Sequence, residues 1–316
     1  MKNLNLIKHP ECFHGEKFIN NNSTYFEGWY FKISNGNDVI SFIPGISIEN
    51  GDFSAFIQII TKYNSYFLSY SFQEFSYSHS PFYIKIGNNK FSLDEININI
   101  KDSFHNLNIS GNIHFSNSTP IKSNLYSPNI MGPFSYLPFM ECNHAILSMK
   151  SNTSGLINFN NNLIDFNSGT AYIEKDWGTS FPKSYIWSQS NEFINFPANF
   201  MLSIAKIPFG LFNFTGIICD ISFKNKEYKF ATYYGAKLLK FDVNNEFIFI
   251  EIQQGNKILS VSALSENSNF LLAPSKGKMK KEILESISSK IDIQIKEKDK
   301  IIFSNTGLNS GLEIVI

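Results

Sequence analysis

The chain has no surplus of charge of either sign. Its 27 basic and 27 acidic residues cancel, and only 17% of its 316 residues are charged. The long-range attraction on which nucleic-acid binders and anionic-membrane binders rely is therefore missing. Cysteine is scarce too: Cys12, Cys142 and Cys219 are odd in number, far apart and without CxxC spacing. Neither a disulfide framework nor a cysteine zinc site is suggested, and a reducing, cytoplasmic compartment fits. No uncharged apolar run reaches the roughly 18 residues of a membrane helix. Met1 to Glu16 carries charges and His9-Pro10, not the apolar stretch of a secretion signal. No glycine-rich phosphate loop appears, and no alternation of strand and helix periods, so nucleotide-binding α/β folds are set aside.

Aromatic residues, by contrast, make up 16% of the chain, with 32 Phe and 14 Tyr. These residue types favour pleated, half-buried surfaces. Apolar residues alternate with polar ones at Ile96, Ile98 and Ile100, at Leu107 and Ile109, and at Ile113 and Phe115, which is the strand period. Phe247 and Phe249 run through Gln254-Gly255-Asn256-Lys257 into Ile258, Ser260 and Ser262, as a hairpin with Gly-Asn in its turn would. A second hairpin is expected around Asn225. Met279, Ile283, Ile287 and Ile291 recur every fourth residue and predict one short helix. The fold class is all-β, with two antiparallel barrel or sandwich domains. Residues 1–22 read as an N-terminal extension, 23–168 as the first domain and 169–316 as the second. The junction is placed where Gly169, Gly178 and Pro182 interrupt the pattern.

Three segments could carry chemistry. In Tyr25-Phe26-Glu27-Gly28-Trp29-Tyr30, strand alternation puts Tyr25, Glu27 and Trp29 on one face. A carboxylate among rings would have its pKa raised by desolvation, which makes Glu27 a candidate proton donor. The plainer alternative is a buried acid paired with a cation. Gly28 suggests a close backbone approach or a bulge. In Met140-Glu141-Cys142-Asn143-His144, Glu141 or His144 could serve as acid or base, whereas a Cys–His metal site or nucleophile is not favoured on the facing of the side chains. In Glu174-Lys175-Asp176-Trp177-Gly178, Glu174 and Asp176 share a face about 7 Å apart by strand rise. Two such acids can push one pKa upward. The alternative there is a solvated turn exposing Lys175 and Asp176. On the next strand Tyr185, Trp187, Gln189 and Asn191 mix ring surface with amide donors, as pocket linings do.

Together these segments resemble the tocopherol cyclase family, whose members share an FEGWYFK-type segment, an ME-x-x-H segment, and EK-[DN]-WG-x-x-FP followed by W-x-Q-x-N. Here they read Phe26 to Lys32, Met140 to His144, Glu174 to Pro182 and Trp187 to Asn191. The resemblance implies two lipocalin-like β-barrel domains. It also implies closure of the chromanol ring of a prenylated quinol, without cofactor or metal. Such chemistry needs an acid to protonate a trisubstituted alkene while a phenol oxygen attacks the developing cation in a dry pocket. Asp176 and Glu174 are then the first candidates for the donor, with Glu27 and Glu141 behind them. Trp29, Tyr30, Trp177 and Trp187 are candidate pocket walls, and His144, Gln189 and Asn191 candidate substrate contacts. The partner expected is a hydrophobic prenylated small molecule, not nucleic acid. Transient contact with a membrane surface is compatible with collecting it. The alternatives are a non-catalytic carrier of an isoprenoid ligand and a hydratase of an isoprenoid double bond.

Overall fold

The protein is described here by a computed structural model covering residues 7–19, 23–138, 140–209 and 212–316. Phe139 and the outer parts of the expected N-terminal extension, 1–6 and 20–22, lie outside the described residues.

Among the described residues the alternation read from the sequence becomes twenty-three antiparallel strands, most of them joined by short turns. The first sheet contains β1 (Tyr25–Ser34), β2 (Val39–Glu49), β3 (Asp52–Thr61), β4 (Ser65–Ser71), β5 (Phe75–His79), β6 (Phe82–Ile86), β7 (Asn89–Phe91), β8 (Glu95–Asp102), β9 (Leu107–Thr119), β10 (Cys142–Phe159), β11 (Asn162–Asp165) and β12 (Gly169–Gly178). Its order is β4-β3-β2-β1-β12-β10-β9-β8-β7-β6-β5, with β11 beside β10. The end strands β4 and β5 are joined through the 3₁₀ turn Phe72–Glu74, and the sheet curls into a nearly closed barrel. Its interior is filled by the inward row of each strand, including Phe31, Ile33, Phe42, Ile57, Phe91, Ile98 and Ile173.

The second sheet contains β13 (Tyr185–Ser190), β14 (Glu192–Phe193), β15 (Ala198–Phe209), β16 (Phe212–Phe223), β17 (Lys226–Ala231), β18 (Lys237–Val243), β19 (Phe247–Gln254), β20 (Lys257–Leu264), β21 (Asn269–Ser275), β22 (Lys278–Glu297) and β23 (Lys300–Val315). It is an open sheet whose core gathers Phe200, Leu202, Ile250, Val261, Ile293 and Phe303. The hairpin at Gly255-Asn256 forms as expected, with Gly255 at φ +58°. So does the hairpin at Asn225, where Lys224 and Asn225 both have positive φ. The short helix expected over Met279–Ile291 does not form, because those residues lie inside β22.

By its contacts the chain divides into a unit comprising residues up to Phe181 plus Leu271–Glu282, and a unit comprising Pro182–Phe270 plus Ile283–Ile316. The division therefore falls after Phe181 and not at the expected 168/169. The reason is hydrogen bonding: β12 pairs along its length with β1 and β10, both in the first unit. Among the described residues no helix is long and apolar enough to cross a membrane.

Candidate active site

β12 lies between β1 and β10, and register decides which of its side chains meet. Lys175 stands between Trp29 of β1 and Ala145 of β10, Glu174 between Tyr30 and Ile146, and Asp176 between Gly28 and His144. Residues directly opposed in antiparallel strands point to the same side. Glu27, Trp29, Lys175 and Trp177 thus form one row, turned toward the barrel interior. Tyr30, Tyr172, Glu174, Asp176 and His144 form the other. Tyr30, Tyr172 and Glu174 are buried, although Tyr30 and Tyr172 lie outside the apolar core of the barrel.

On that second side His144 is held between the two acids. Its Nδ1 is 2.9 Å from Asp176 Oδ1 and its Nε2 is 3.5 Å from Glu174 Oε2. Side-chain exposure is 12% for His144, 6% for Glu174 and 19% for Asp176, so Asp176 is the most accessible of the three. The Tyr172 hydroxyl donates to Glu174 Oε2 at 2.5 Å. Burial, then the charge of Glu174, pushes that phenol well above its usual pKa, so it stays a donor. Cys142 Sγ lies 3.8 Å from Asp176 Oδ1, and burial followed by Asp176 drives its thiol well above the ordinary value. Cys142 and His144 share one face of β10, as strand alternation has it, and both reach Asp176. Tyr172, Glu174, His144 and Asp176 thus form one row, with hydrogen bonds from Tyr172 to Glu174 and between His144 and Asp176 and a 3.5 Å ion-pair contact between His144 and Glu174.

Gly178 fixes the end of this arrangement. It has φ +154°, and a Cβ there would lie 2.1 Å from the Glu141 carbonyl oxygen, which accepts the Thr179 N–H at 2.8 Å. Only a residue without a side chain lets β12 approach β10 so closely at Cys142. Gly28, by contrast, makes no unusual approach: a Cβ there would meet Ile43 at an ordinary 3.8 Å.

On the interior side Glu27 is fully buried and paired with Lys175. The carboxylate also accepts the His14 N–H at 2.9 and 3.0 Å and the Tyr25 hydroxyl at 2.8 Å. Lys175 donates to the carbonyls of Pro10 at 2.8 Å and Cys12 at 2.5 Å. It sits 4.8 Å from the ring centre of Trp29 and 4.9 Å from that of Trp177. Burial raises the Glu27 pKa and lowers that of Lys175, and each partner opposes the other's shift. Glu27 accordingly has the cation that the plainer sequence reading asked for, and Lys175 is not the exposed residue of a solvated turn. Trp29, whose Nε1 donates to the Glu11 carbonyl at 2.8 Å, and Trp177 flank this pair and do not face Glu174 and Asp176.

The other expected site residues are more dispersed. The Glu141 side chain is exposed. Trp187, Gln189 and Asn191 belong to the second unit, where all three are buried. There the Tyr185 hydroxyl donates to Glu313 Oε2 at 2.5 Å, and Trp187 and Gln189 stand opposite Glu313 and Gly311 of β23. An open groove of about 480 Å³ in the same unit is lined by Phe249, Glu251, Ser262, Asp292, Lys296 and Thr306 among others, and none of the expected site residues lines it. Sequence reasoning passed over Tyr172 and Lys175. The first was findable, since Tyr172, Glu174 and Asp176 alternate on one strand face.

Fold and cluster together define a class: an all-β protein of two antiparallel sheets that buries an imidazole between two carboxylates. Comparison places it more closely. The tocopherol cyclase-like family matches residues 122–315, and the chain belongs to that family. The match contains the Met140–His144, Glu174–Pro182 and Trp187–Asn191 motifs; the Phe26–Lys32 motif precedes it. No curated protein sequence matches the chain. Among solved structures it is similar to CghA with Sch210972, at TM-score 0.53 and 10% identity over 93% of this chain and 89% of the other. A protein designated AttH from Nitrosomonas europaea gives TM-score 0.53 and 11% identity over 95% of each chain. Kievitone hydratase from Nectria haematococca gives 0.51 and 12%, over 96% and 93%. At these identities the likeness is one of fold.

Proposed function

We propose that the protein is an acid-catalysed cyclase acting on a hydrophobic substrate that carries a phenol and a prenyl double bond. The observation that carries this reading is His144 held between Glu174 and Asp176, with Tyr172 hydrogen-bonded to Glu174. Asp176, the more accessible acid, gives its proton to the alkene: a C–H bond forms and the π bond breaks, leaving a tertiary cation. The substrate's phenol oxygen closes on that cation, a C–O bond forms, and the phenolic proton returns to Asp176. The product is an isomer of the substrate. The phenolic proton returns directly or by way of His144, 2.9 Å from Asp176, while Glu174, held by Tyr172, supports positive charge on the imidazole in passing. Tyr30 and Tyr172 offer ring faces to the cation. Glu27 and Lys175 maintain the strand that carries the acids and give nothing to the substrate.

A second reading keeps the proton step and changes the nucleophile. Water in place of the phenol would make a hydratase, a reaction class that one neighbour of the fold carries in its name. Incubation of the purified protein with a panel of prenylated quinols, followed by mass and retention time, separates the cases. Cyclisation gives unchanged mass at new retention, and Asp176→Asn and His144→Gln lower its rate by about 10²–10⁴-fold. A product heavier by one water identifies the hydratase. Substrate recovered intact at stoichiometric occupancy sinks both readings in favour of a carrier.

A further inference from the structure

We infer that the cluster of His144, Glu174 and Asp176 is also a divalent-cation site, and that a bound cation shuts the proton path by occupying the atoms that form it. The first half stands on the donor set and its placement; the second rests on the function proposed above.

One imidazole nitrogen and two carboxylate oxygens suit zinc, cobalt, manganese or ferrous iron, and disfavour the softer cations that choose sulfur. The three ligand atoms already lie within 4.8 Å of one another. Donors about 2.0–2.2 Å from a common zinc stand roughly 3–4 Å apart, so small side-chain rotations bring them to the metal. The backbone beneath is preset: His144 and Asp176 are directly opposed on adjacent strands, and Glu174 lies two residues along the same face. Tyr172 orients Glu174 from outside the set, as second partners of metal ligands do.

Charge and location distinguish this cluster from the surface pairs. His9 with Glu11, His79 with Glu16, His105 with Asp102 and His114 with Glu95 each bring one carboxylate to one imidazole, at more exposed positions. His144 alone among the described residues meets two. Two carboxylates, one buried and one partly exposed, around a single imidazole give the cluster the negative charge that attracts a dication. Cys142, 3.8 Å from Asp176, is not assigned as a ligand.

Occupancy and proton transfer then exclude each other. A ring nitrogen that binds the cation gives up its proton, and an Asp176 oxygen that binds it cannot deliver one to an alkene.

The test uses full-length protein stripped with a chelator and titrated with Co²⁺, followed by visible absorption and calorimetry. One equivalent of Co²⁺ should bind with the spectrum of a mixed nitrogen–oxygen site and be displaced by Zn²⁺. In His144→Gln binding should weaken by at least about tenfold while the thermal transition is retained. Should that variant fail to fold, Asp176→Asn carries the same comparison. Absence of a Co²⁺ spectrum, or one unchanged in the variant, overturns the cation site. On the quinol that the protein converts, Zn²⁺ at one equivalent should abolish turnover and a chelator restore it. Binding at His144 with undiminished turnover leaves the cation site standing and overturns the block. A protein that converts no quinol refutes the cyclase, yet the Co²⁺ spectrum still decides the site.

Discussion

Lys175 has three N–H donors, and the interior of the first unit supplies three acceptors for them: the carbonyls of Pro10 and Cys12 and the carboxylate of Glu27. Glu27 in turn accepts from the His14 amide and the Tyr25 hydroxyl. Removing either charge leaves the other buried without its counterpart. Glu27→Gln or Lys175→Met should therefore destabilise the protein by about 3–5 kcal/mol, and the double variant should recover much of that loss. Urea unfolding of all three variants checks this; single losses that simply add in the double would refute the coupling. The sequence made part of this legible. Desolvation of Glu27 among aromatic rings was readable from strand alternation, and it does push the carboxyl up. The partner was not readable, because Lys175 meets Glu27 only through the register of β1 on β12. The His144 cluster divides in the same way: Glu174 and Asp176 were visible as one face of one strand, whereas His144 reaches Asp176 across a sequence separation of 32 residues.

At the scale of the element, β12 depends on a glycine at the edge of the cluster. Gly178 is the Cα partner of both Cys142 and Phe26, and a methyl group there collides with the Glu141 carbonyl at 2.1 Å. Gly178→Ala should cost about 1–3 kcal/mol and lower turnover as well, since the displaced strand end lies two residues from Asp176. A thermal melt beside an activity assay tests this, and a variant with normal stability and turnover would show that the approach is not needed. Hairpins were legible because their turns carry local chemistry, as at Gly255 and Asn225. The stretch Met279–Ile291 was misread for a definable reason. Apolar residues spaced by four fit a helix, but four is also twice the strand period, so the same residues return to one face of β22. Register shifts near Ser289 then interrupt the alternation that would have marked the strand.

At the scale of the whole molecule, the first unit is not one continuous stretch of chain. Residues Leu271–Glu282 belong to it, tied by Gln58, which accepts the Leu272 N–H at 2.9 Å and donates to its carbonyl at 3.0 Å. Gly277 N donates to the Thr179 carbonyl at 2.7 Å. Local patterning reports strands and turns but not which distant strand completes a unit, which is why the expected linear boundary at 168/169 differed from the observed division. Two ion pairs hold the same segment: Lys278 and Lys280 lie 3.0 and 3.5 Å from the Glu49 carboxylate. Hydrogen bonding to Lys278, foremost, lowers the Glu49 pKa from its ordinary 4.5. A lowered carboxyl pKa contributes stability above the unfolded value and loses it as pH falls through the folded one. The contribution of these pairs is therefore present at pH 7 and vanishes once Glu49 is protonated in the fold. Lys278→Gln/Lys280→Gln should lower the urea midpoint at about pH 7 and leave it nearly unchanged at about pH 2, below both states' titration. The exposed position of the pairs makes the shift small, and added salt should shrink it further. A midpoint difference that persists in acid would mean that the lysines act through packing of their aliphatic stems and not through Glu49.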